Sequence, residues 1–129
     1  MPGILVLSSP SFVNYEETKK QVKVLDEQLC LHLDHLKNLP LIILADDAGF
    51  VASTLNNFLW VTFTRCNPSH DMYGISAFTE NNHWGCKGPL VIDARRKPHH
   101  APLVEKDASV ERSLDKFFNK GASLYNKIA

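Results

Sequence analysis

Two adjacent carboxylates, Asp46 and Asp47, follow a strongly apolar segment and are the residues whose type and spacing most directly suggest chemistry. The run Leu41–Ala45 before them is typical of a buried strand. Paired carboxylates at a strand end can bind a cation or act as an acid–base pair, because each raises the pKa of the other. Adjacent strand residues point to opposite faces, however. We therefore favour a structural alternative in which one carboxylate caps the next turn and the other pairs with Arg65 or another basic residue.

Histidines and cysteines provide three short combinations that are typical of metal ligands. These are Cys66 with His70, His83 with Cys86, and His99 with His100. None repeats as a paired motif, whereas zinc sites usually combine two closely spaced ligand pairs. The sequence therefore predicts loop histidines and no metal site.

The turn after the first apolar run, Ile4–Leu7, is rich in hydroxyl groups and poor in glycine. Ser8-Ser9-Pro10-Ser11 stands where a dinucleotide-binding protein would carry a glycine-rich phosphate loop. Such a turn can still hold the phosphate of a flavin mononucleotide, so a small flavodoxin-like redox carrier remains open. Nucleophilic catalysis is not supported, since the chain has no GxSxG motif and no cysteine in an activating context.

The two tryptophans have different settings. Trp60 lies in an apolar helical segment, and we expect it in the core. Trp84 lies in a polar, glycine-containing loop beside Asn82 and His83. An aromatic residue in such a loop serves either contact with a partner or ligand, or local packing. Both alternatives remain open for Trp84.

The elements that must position these residues alternate between strands and helices. Asn14 and Glu17 form a capping-box-like start for a first helix, and Ser53 is the expected cap of a second helix that ends near Arg65. Further strands are predicted near residues 71–75 and 89–93, with a loop over 78–88 between them. A last helix is predicted from its apolar spacing at Val110, Leu114, Phe117, Phe118, Leu124, Tyr125 and Ile128.

This order predicts a single α/β domain over residues 1–129. Uniformly apolar strands favour a mostly parallel sheet covered on both faces. The expected architecture is a three-layer α/β/α sandwich with Rossmann-like or flavodoxin-like topology.

Composition limits the function classes. The chain has 129 residues, with 14 basic and 14 acidic side chains and a formal net charge of zero. This balance argues against nucleic-acid or anionic-membrane binding. Three cysteines are too few and too far apart for a disulfide scaffold. No run reaches transmembrane length and the apolar start is too short for a signal peptide, so we expect a cytoplasmic domain.

The stretch from Pro40 to Asp71 resembles the carboxy-terminal domain of the UbiD-type decarboxylases. In that family an apolar strand ends in acids and is followed by a helix with Trp, then Thr-Arg, Pro and Asp. The matching residues here are Asp46, Asp47, Trp60, Thr64, Arg65, Pro68 and Asp71. A later family element, Gly-Ser-Lys followed by Ile-Asp-Ala-Thr, is similar to 85–87 and to 92–95, which contains Asp93. The chain departs from the family at Ala48, Cys86 and Arg95.

The resemblance implies that the amino-terminal cofactor domain of such an enzyme is absent from these residues. That domain would hold prenylated FMN with manganese and potassium, and this domain alone would bind no cofactor and be inactive. The resemblance further implies a lid-forming and oligomer-forming role towards an aromatic carboxylic acid substrate. The expected substrate-pocket or interface residues are Phe78, Asn82, His83, Trp84 and Lys87. A stand-alone α/β binding or assembly module is the alternative from another class.

Overall fold

The computed structural model describes residues 2–102, 107–123 and 125, which form a mixed helix and strand fold. Along the chain the elements are β1 (Ile4–Ser8), α1 (Tyr15–Leu29), a 3₁₀ segment (Cys30–Leu36), β2 (Leu41–Ala45), α2 (Ala48–Ser53), α3 (Leu55–Arg65), β3 (Met72–Gly74), β4 (Ala77–Glu80), β5 (His83–Cys86), β6 (Leu90–Asp93) and α4 (Ala108–Phe118).

Four strands form the main sheet in the order β1-β2-β6-β3. The first three run parallel, with Leu41 aligned to Ile4 on one side and to Leu90 on the other. β3 pairs antiparallel with β6 at the end of the sheet. The predicted mostly parallel sheet is therefore confirmed, and β4 and β5 form a separate two-stranded antiparallel sheet.

The core lies on both sides of β2, because successive residues of this strand point to opposite faces. Ile42 and Leu44 pack in a cluster with Val22 of α1. Ile43 packs in a second cluster with Val61 of α3. Each fully buried side chain of this kind contributes roughly 1.5–3 kcal/mol to folding, so the two clusters fix α1 and α3 to the sheet.

Local capping explains where the first helix begins and corrects the start of a later one. The side chain of Asn14 accepts a hydrogen bond from the backbone N–H of Glu17 at 2.8 Å, which confirms the predicted cap. Ser53 is not the cap of α3. It is the last residue of α2, and the hydroxyl of Thr54 accepts from the N–H of Asn57 at 3.0 Å instead. The extended backbone of Thr54 separates the two helices.

The loop predicted over residues 78–88 is wrong, because most of it is the hairpin of β4 and β5. Asn81 and Asn82 connect the strands with φ angles of 49° and 63°. Two consecutive positive φ angles are typical of a type I′ turn, whose twist matches that of the paired strands. Asparagine tolerates this conformation better than most residues.

The last helix is shorter than predicted and lies apart from the core. α4 ends at Phe118, because Asn119 adopts extended backbone. None of its residues is buried, and Val110, Leu114 and Phe117 are all between 41% and 50% exposed. Leu124 and Ile128 lie outside the described residues.

Candidate functional site

The residues singled out from the sequence lie at two opposite edges of the main sheet. We call the ends of β1, β2 and β6 the carboxyl edge, and their beginnings the amino edge. Asp46 and Asp93 stand at the carboxyl edge. The hairpin of β4 and β5 joins the sheet at the amino edge, where the N–H of Ile75 donates to the carbonyl of Pro89 at 3.0 Å. The family-motif residues and the expected pocket residues therefore do not form one site.

A buried ionic cluster occupies the carboxyl edge, and Lys97 is at its centre. The Lys97 ammonium lies 3.2 Å from an Asp71 carboxylate oxygen and 3.8 Å from one of Asp93, and all three side chains are fully buried. It also donates to the backbone carbonyls of Asp93 at 2.9 Å and of Arg65 and Arg95 at 3.3 Å. A buried cation with this many oxygens around it is a structural group.

Arg95 completes the cluster, and its hydrogen-bond donors also have partners within the fold. Its guanidinium donates to both carboxylate oxygens of Asp93 at 2.9 and 2.8 Å. The other N–H groups reach the carbonyl of Pro10, the side-chain oxygen of Gln21 and the hydroxyl of Thr18, each at 2.8 Å. The hydrogen bond to Asp93 raises the pKa of Arg95. Because all five donors are used, Arg95 ties the turn after β1 and helix α1 to the end of β6.

The two adjacent carboxylates have structural roles, one as a helix cap and the other in an ion pair. Asp47 caps α2 by accepting from the N–H of Phe50 at 2.9 Å. Asp46 pairs with Arg65 at 3.0 Å and accepts the backbone N–H of Arg96 at 2.8 Å. The predicted division between cap and ion pair is confirmed, and Asp46 holds α3 to the segment after β6.

The remaining motif residues surround this ion pair. Trp60 was expected in the core and is 47% exposed, because α3 directs Phe58, Val61 and Thr62 to the sheet. The Arg65 guanidinium lies 5.9 Å from the centre of the Trp60 ring, within cation–π range. Thr64 bonds back to the carbonyl of Trp60 at 2.6 Å. Pro68 is exposed in the turn that leads to Asp71.

A cleft of about 540 Å³ opens beside the cluster at the carboxyl edge. Its apolar lining includes Phe12 and Phe50. Its charged lining residues are Asp46, Asp47, Arg65, Arg96 and Lys97. A second depression of about 240 Å³ shares Arg65 and Arg96 with it and includes Trp60 and His100. The two depressions adjoin at Arg65 and Arg96, and we take both as the candidate binding surface.

The expected pocket residues occupy the hairpin at the amino edge. Phe78 pairs with Gly85, and Thr79 pairs with Trp84, so Phe78 and Trp84 lie on opposite faces of the hairpin. His83 pairs with Glu80 and shares the face of Phe78. Phe78 is 43% and Trp84 51% exposed.

The other two expected pocket residues lie outside the hairpin strands. Asn82 belongs to the turn between β4 and β5, and Lys87 follows the end of β5. Both are exposed. The five residues share one edge of the sheet without converging on a single pocket.

The histidine and cysteine combinations do not converge either. Across residues 2–102, 107–123 and 125, no group of three or more His, Cys, Asp or Glu side chains is arranged to hold a metal ion. Burial raises the pKa of the Cys66 and Cys86 thiols. His100 accepts the backbone N–H of Lys97 at 3.1 Å, and burial followed by the nearby Lys97 charge lowers its pKa.

Sequence reasoning missed the residues that dominate the carboxyl edge, above all Lys97 and Arg96. Both lie in a segment that reads as a polar connector, and no local spacing distinguishes the buried lysine from the exposed arginine. Phe12 was also missed, although its position in the turn after β1 was a usable signal, because such turns meet the ligand edge of α/β sheets.

Comparison with known proteins finds relatives in several Chlamydia species. The chain is 38% identical over 84 residues to a protein of Chlamydia pneumoniae named as a subunit of 4-hydroxybenzoate decarboxylase, and the match covers 65% of this chain and 14% of that protein. It is 32% identical over 95 residues to an uncharacterised protein of Chlamydia muridarum, covering 70% of this chain and 16% of the relative. A third relative, from Chlamydia caviae, is 28% identical over 92% of this chain.

The chain thus spans between 14% and 19% of the length of these relatives. No protein-family model matches the chain. In the part of the chain that the structure describes, no helix is long and apolar enough to cross a membrane. The comparisons therefore show similarity to one part of much longer proteins, one of which carries the name of a decarboxylase.

Proposed function

We propose that this chain acts as the carboxy-terminal domain of a UbiD-type non-oxidative aromatic-acid decarboxylase, such as a 3-octaprenyl-4-hydroxybenzoate carboxy-lyase. The observation that carries the proposal is the 38% identity to a protein named as a subunit of 4-hydroxybenzoate decarboxylase. The order of the family-motif residues along the chain supports it as well, and the structure brings Asp46, Arg65, Asp71 and Asp93 to one edge of the sheet. Helices on both faces of the sheet further favour the three-layer sandwich of Rossmann-like topology.

The braced edge is structural, so the proposed contribution to catalysis comes from the hairpin. Its aromatic side chains are exposed although they are large and apolar. In the proposed enzyme the hairpin closes over an aromatic carboxylic acid, and one of its two faces supplies the apolar wall. Closure of this kind excludes water and completes a pocket. His83 accompanies Phe78 on one face, whereas Lys87 follows β5, the strand that carries Trp84.

The carboxylates at the carboxyl edge are paired with basic side chains and therefore do not fit a metal site. Asp71 and Asp93 are committed to Lys97 and Arg95, and Asp46 to Arg65. In the proposed enzyme, prenylated FMN with manganese and potassium belongs to the amino-terminal domain of the same polypeptide, and this domain alone is inactive. When bound there, the flavin supplies stabilisation of the carbanion-like charge that forms as carbon dioxide leaves. We place the enzyme in the cytoplasm as a homo-oligomer.

Mass spectrometry of the native polypeptide is the first test. The proposal expects a chain several times longer, with these residues at its carboxy end. A native polypeptide of 129 residues would contradict it and favour the alternative, a stand-alone α/β binding or assembly module.

Variants of the complete enzyme then test the hairpin. Trp84→Ala and Phe78→Ala are compared by carbon dioxide release from 4-hydroxybenzoate, and the variant on the substrate-facing side should lose at least about tenfold in kcat/KM. Phe63→Ala on α3 is the matched control, because Phe63 is 73% exposed and lies outside the hairpin. Equal activity of both hairpin variants and wild type would overturn the lid assignment.

A further inference from the structure

The cleft at the carboxyl edge has the size and lining of a small-molecule site. Its volume of about 540 Å³ lies within the range of roughly 300–1,000 Å³ found for ligand pockets. Phe12 and Phe50 provide aromatic surfaces, whereas Val51 and Val61 of the lining are buried in the core behind them. Phe50 is 47% exposed, although it is a large apolar residue. The lining therefore favours a ligand with a flat apolar body.

Most of the charged side chains that line the cleft already have a partner within the fold. Lys97 is fully buried against Asp71 and Asp93, and Arg65 is paired with Asp46 at 3.0 Å. Asp47 is exposed and accepts one hydrogen bond from the N–H of Phe50 as the cap of α2. These groups stabilise the walls of the cleft, so a ligand would have to bind through other side chains.

Arg96 is the exception among the basic residues that line the cleft. Its backbone N–H is fixed to Asp46 at 2.8 Å, so the position of the residue is determined. Its guanidinium, by contrast, is exposed and has no hydrogen bond or ion pair within residues 2–102, 107–123 and 125. It lines both the cleft and the adjoining depression. A guanidinium offers five donors in a planar fork that matches a carboxylate or a phosphate.

We propose that this cleft is a binding site for a small anion, in which a carboxylate or phosphate group pairs with Arg96 and a planar apolar body packs between Phe12 and Phe50. Arg65 and Asp46 line the same cleft as an ion pair at 3.0 Å, so together they add no net charge to it. The site lies at the edge opposite the hairpin, so it is distinct from the lid function proposed above. Failure of one proposal leaves the other unaffected.

The test titrates the full chain with 1-naphthoate and with 1-naphthyl phosphate, followed by calorimetry and by the NMR shift of the Arg96 amide. Saturable binding of at least one of them, with Kd below about 1 mM, is expected, and the stronger of the two identifies the anionic group. Uncharged 1-naphthamide should bind at least about tenfold more weakly, because it cannot form the ion pair. Inorganic phosphate alone should bind more weakly than the naphthyl phosphate, because it lacks the apolar body.

Three variants distinguish this site from non-specific binding. Arg96→Gln should raise Kd at least about tenfold, the loss expected of one charge-assisted pair. Asp47→Asn removes the exposed negative charge, retains a good helix cap and should lower Kd about two- to threefold. Lys23→Gln removes one exposed positive charge on α1, outside the cleft lining, and should leave Kd unchanged. Wild-type affinity in Arg96→Gln, equal affinity for 1-naphthamide, or absence of binding by both anions would each overturn the proposal.

Discussion

The carboxyl and amino edges of the sheet differ in whether their side chains find interaction partners within the fold. At the carboxyl edge, Asp71, Asp93, Arg95 and Lys97 are buried charges whose partners all lie within the fold. At the amino edge, the hairpin exposes the large apolar side chains of Phe78 and Trp84. The first arrangement stabilises the fold, and the second leaves surface for contact with another molecule. The motif residues that look most catalytic in the sequence are consequently the structural ones.

The largest expected effect tests the buried cluster. Lys97→Met should lower the free energy of unfolding by about 3–5 kcal/mol, because the buried Asp71 carboxylate then loses its cation, whereas Asp93 keeps Arg95. Lys87→Met at the amino edge should change it by less than about 0.5 kcal/mol, because Lys87 is exposed. Urea denaturation measures both. If Lys97→Met does not fold, Asp71→Asn, which removes one carboxylate from the ammonium, is measured instead. Equal losses in the Lys97 and Lys87 variants would abolish the contrast between the edges.

A second pair of variants compares the base of the hairpin with its outer strand. A Cβ atom at buried Gly74 would lie 2.5 Å from the Cβ of Cys86 and 3.1 Å from the Trp84 ring. Gly74→Ala should therefore cost about 1–3 kcal/mol. At Gly85 the Cβ would lie 2.7 Å from the far end of the exposed Phe78 ring, which can turn away, so Gly85→Ala should cost less than about 1 kcal/mol. Thermal unfolding measures both, and a larger cost at Gly85 would mean that Phe78 is held rigidly.

The Tyr73 hydroxyl lies near the ionic cluster but forms no hydrogen bond with it. Its hydroxyl is buried with no hydrogen-bond partner within residues 2–102, 107–123 and 125. Burial, followed by the charges of Asp93 and Asp71, raises its pKa to about 12. Tyr73→Phe should leave stability unchanged or raise it by up to about 1 kcal/mol, whereas Asn14→Ala, which removes a formed cap, should lower it by about 1 kcal/mol. Destabilisation by Tyr73→Phe in denaturant titrations would reveal a partner for the hydroxyl.

The smallest expected effect concerns the pH dependence of the carboxyl edge. The folded-state pKa of His100 is lowered by burial and then by Lys97, so the unfolded chain binds the proton more readily. Its contribution to stability is therefore present above the ordinary pKa of about 6.5 and is lost as the pH falls through the folded-state pKa. NMR titration should place that pKa below the ordinary value. His100→Gln should flatten the stability profile in this range, and an unchanged profile would contradict the assignment.

The parts of the fold that depend on local sequence were predictable. The cap at Asn14 and the apolar runs of β1, β2 and β6 depend on neighbouring residues, and they are confirmed. The cap and ion pair of Asp47 and Asp46 were also predicted, because adjacent strand residues must diverge.

The parts that depend on distant partners were not predictable. Lys97 is buried only because Asp71 and the carbonyl of Arg65 meet it from elsewhere in the chain. Trp60 is exposed because the sheet lies on another side of α3, which helical spacing alone does not reveal. The sequence predicts a loop in place of the hairpin, because the two strands are short and carry little apolar alternation.

β6 connects the amino edge of the sheet to the carboxyl edge. This strand has four residues, or about 13 Å at roughly 3.3 Å per residue, with the base of the hairpin before it and Asp93 at its end. Its backbone is hydrogen-bonded to β2 on one side and β3 on the other. Amide exchange in Val91 and Ile92 should consequently require opening of the whole sheet, whereas Asn81 and Asn82 exchange through local opening of the turn. The hairpin can thus fluctuate as a unit on a stiff support, and the timescale of its motion is separated from that of unfolding.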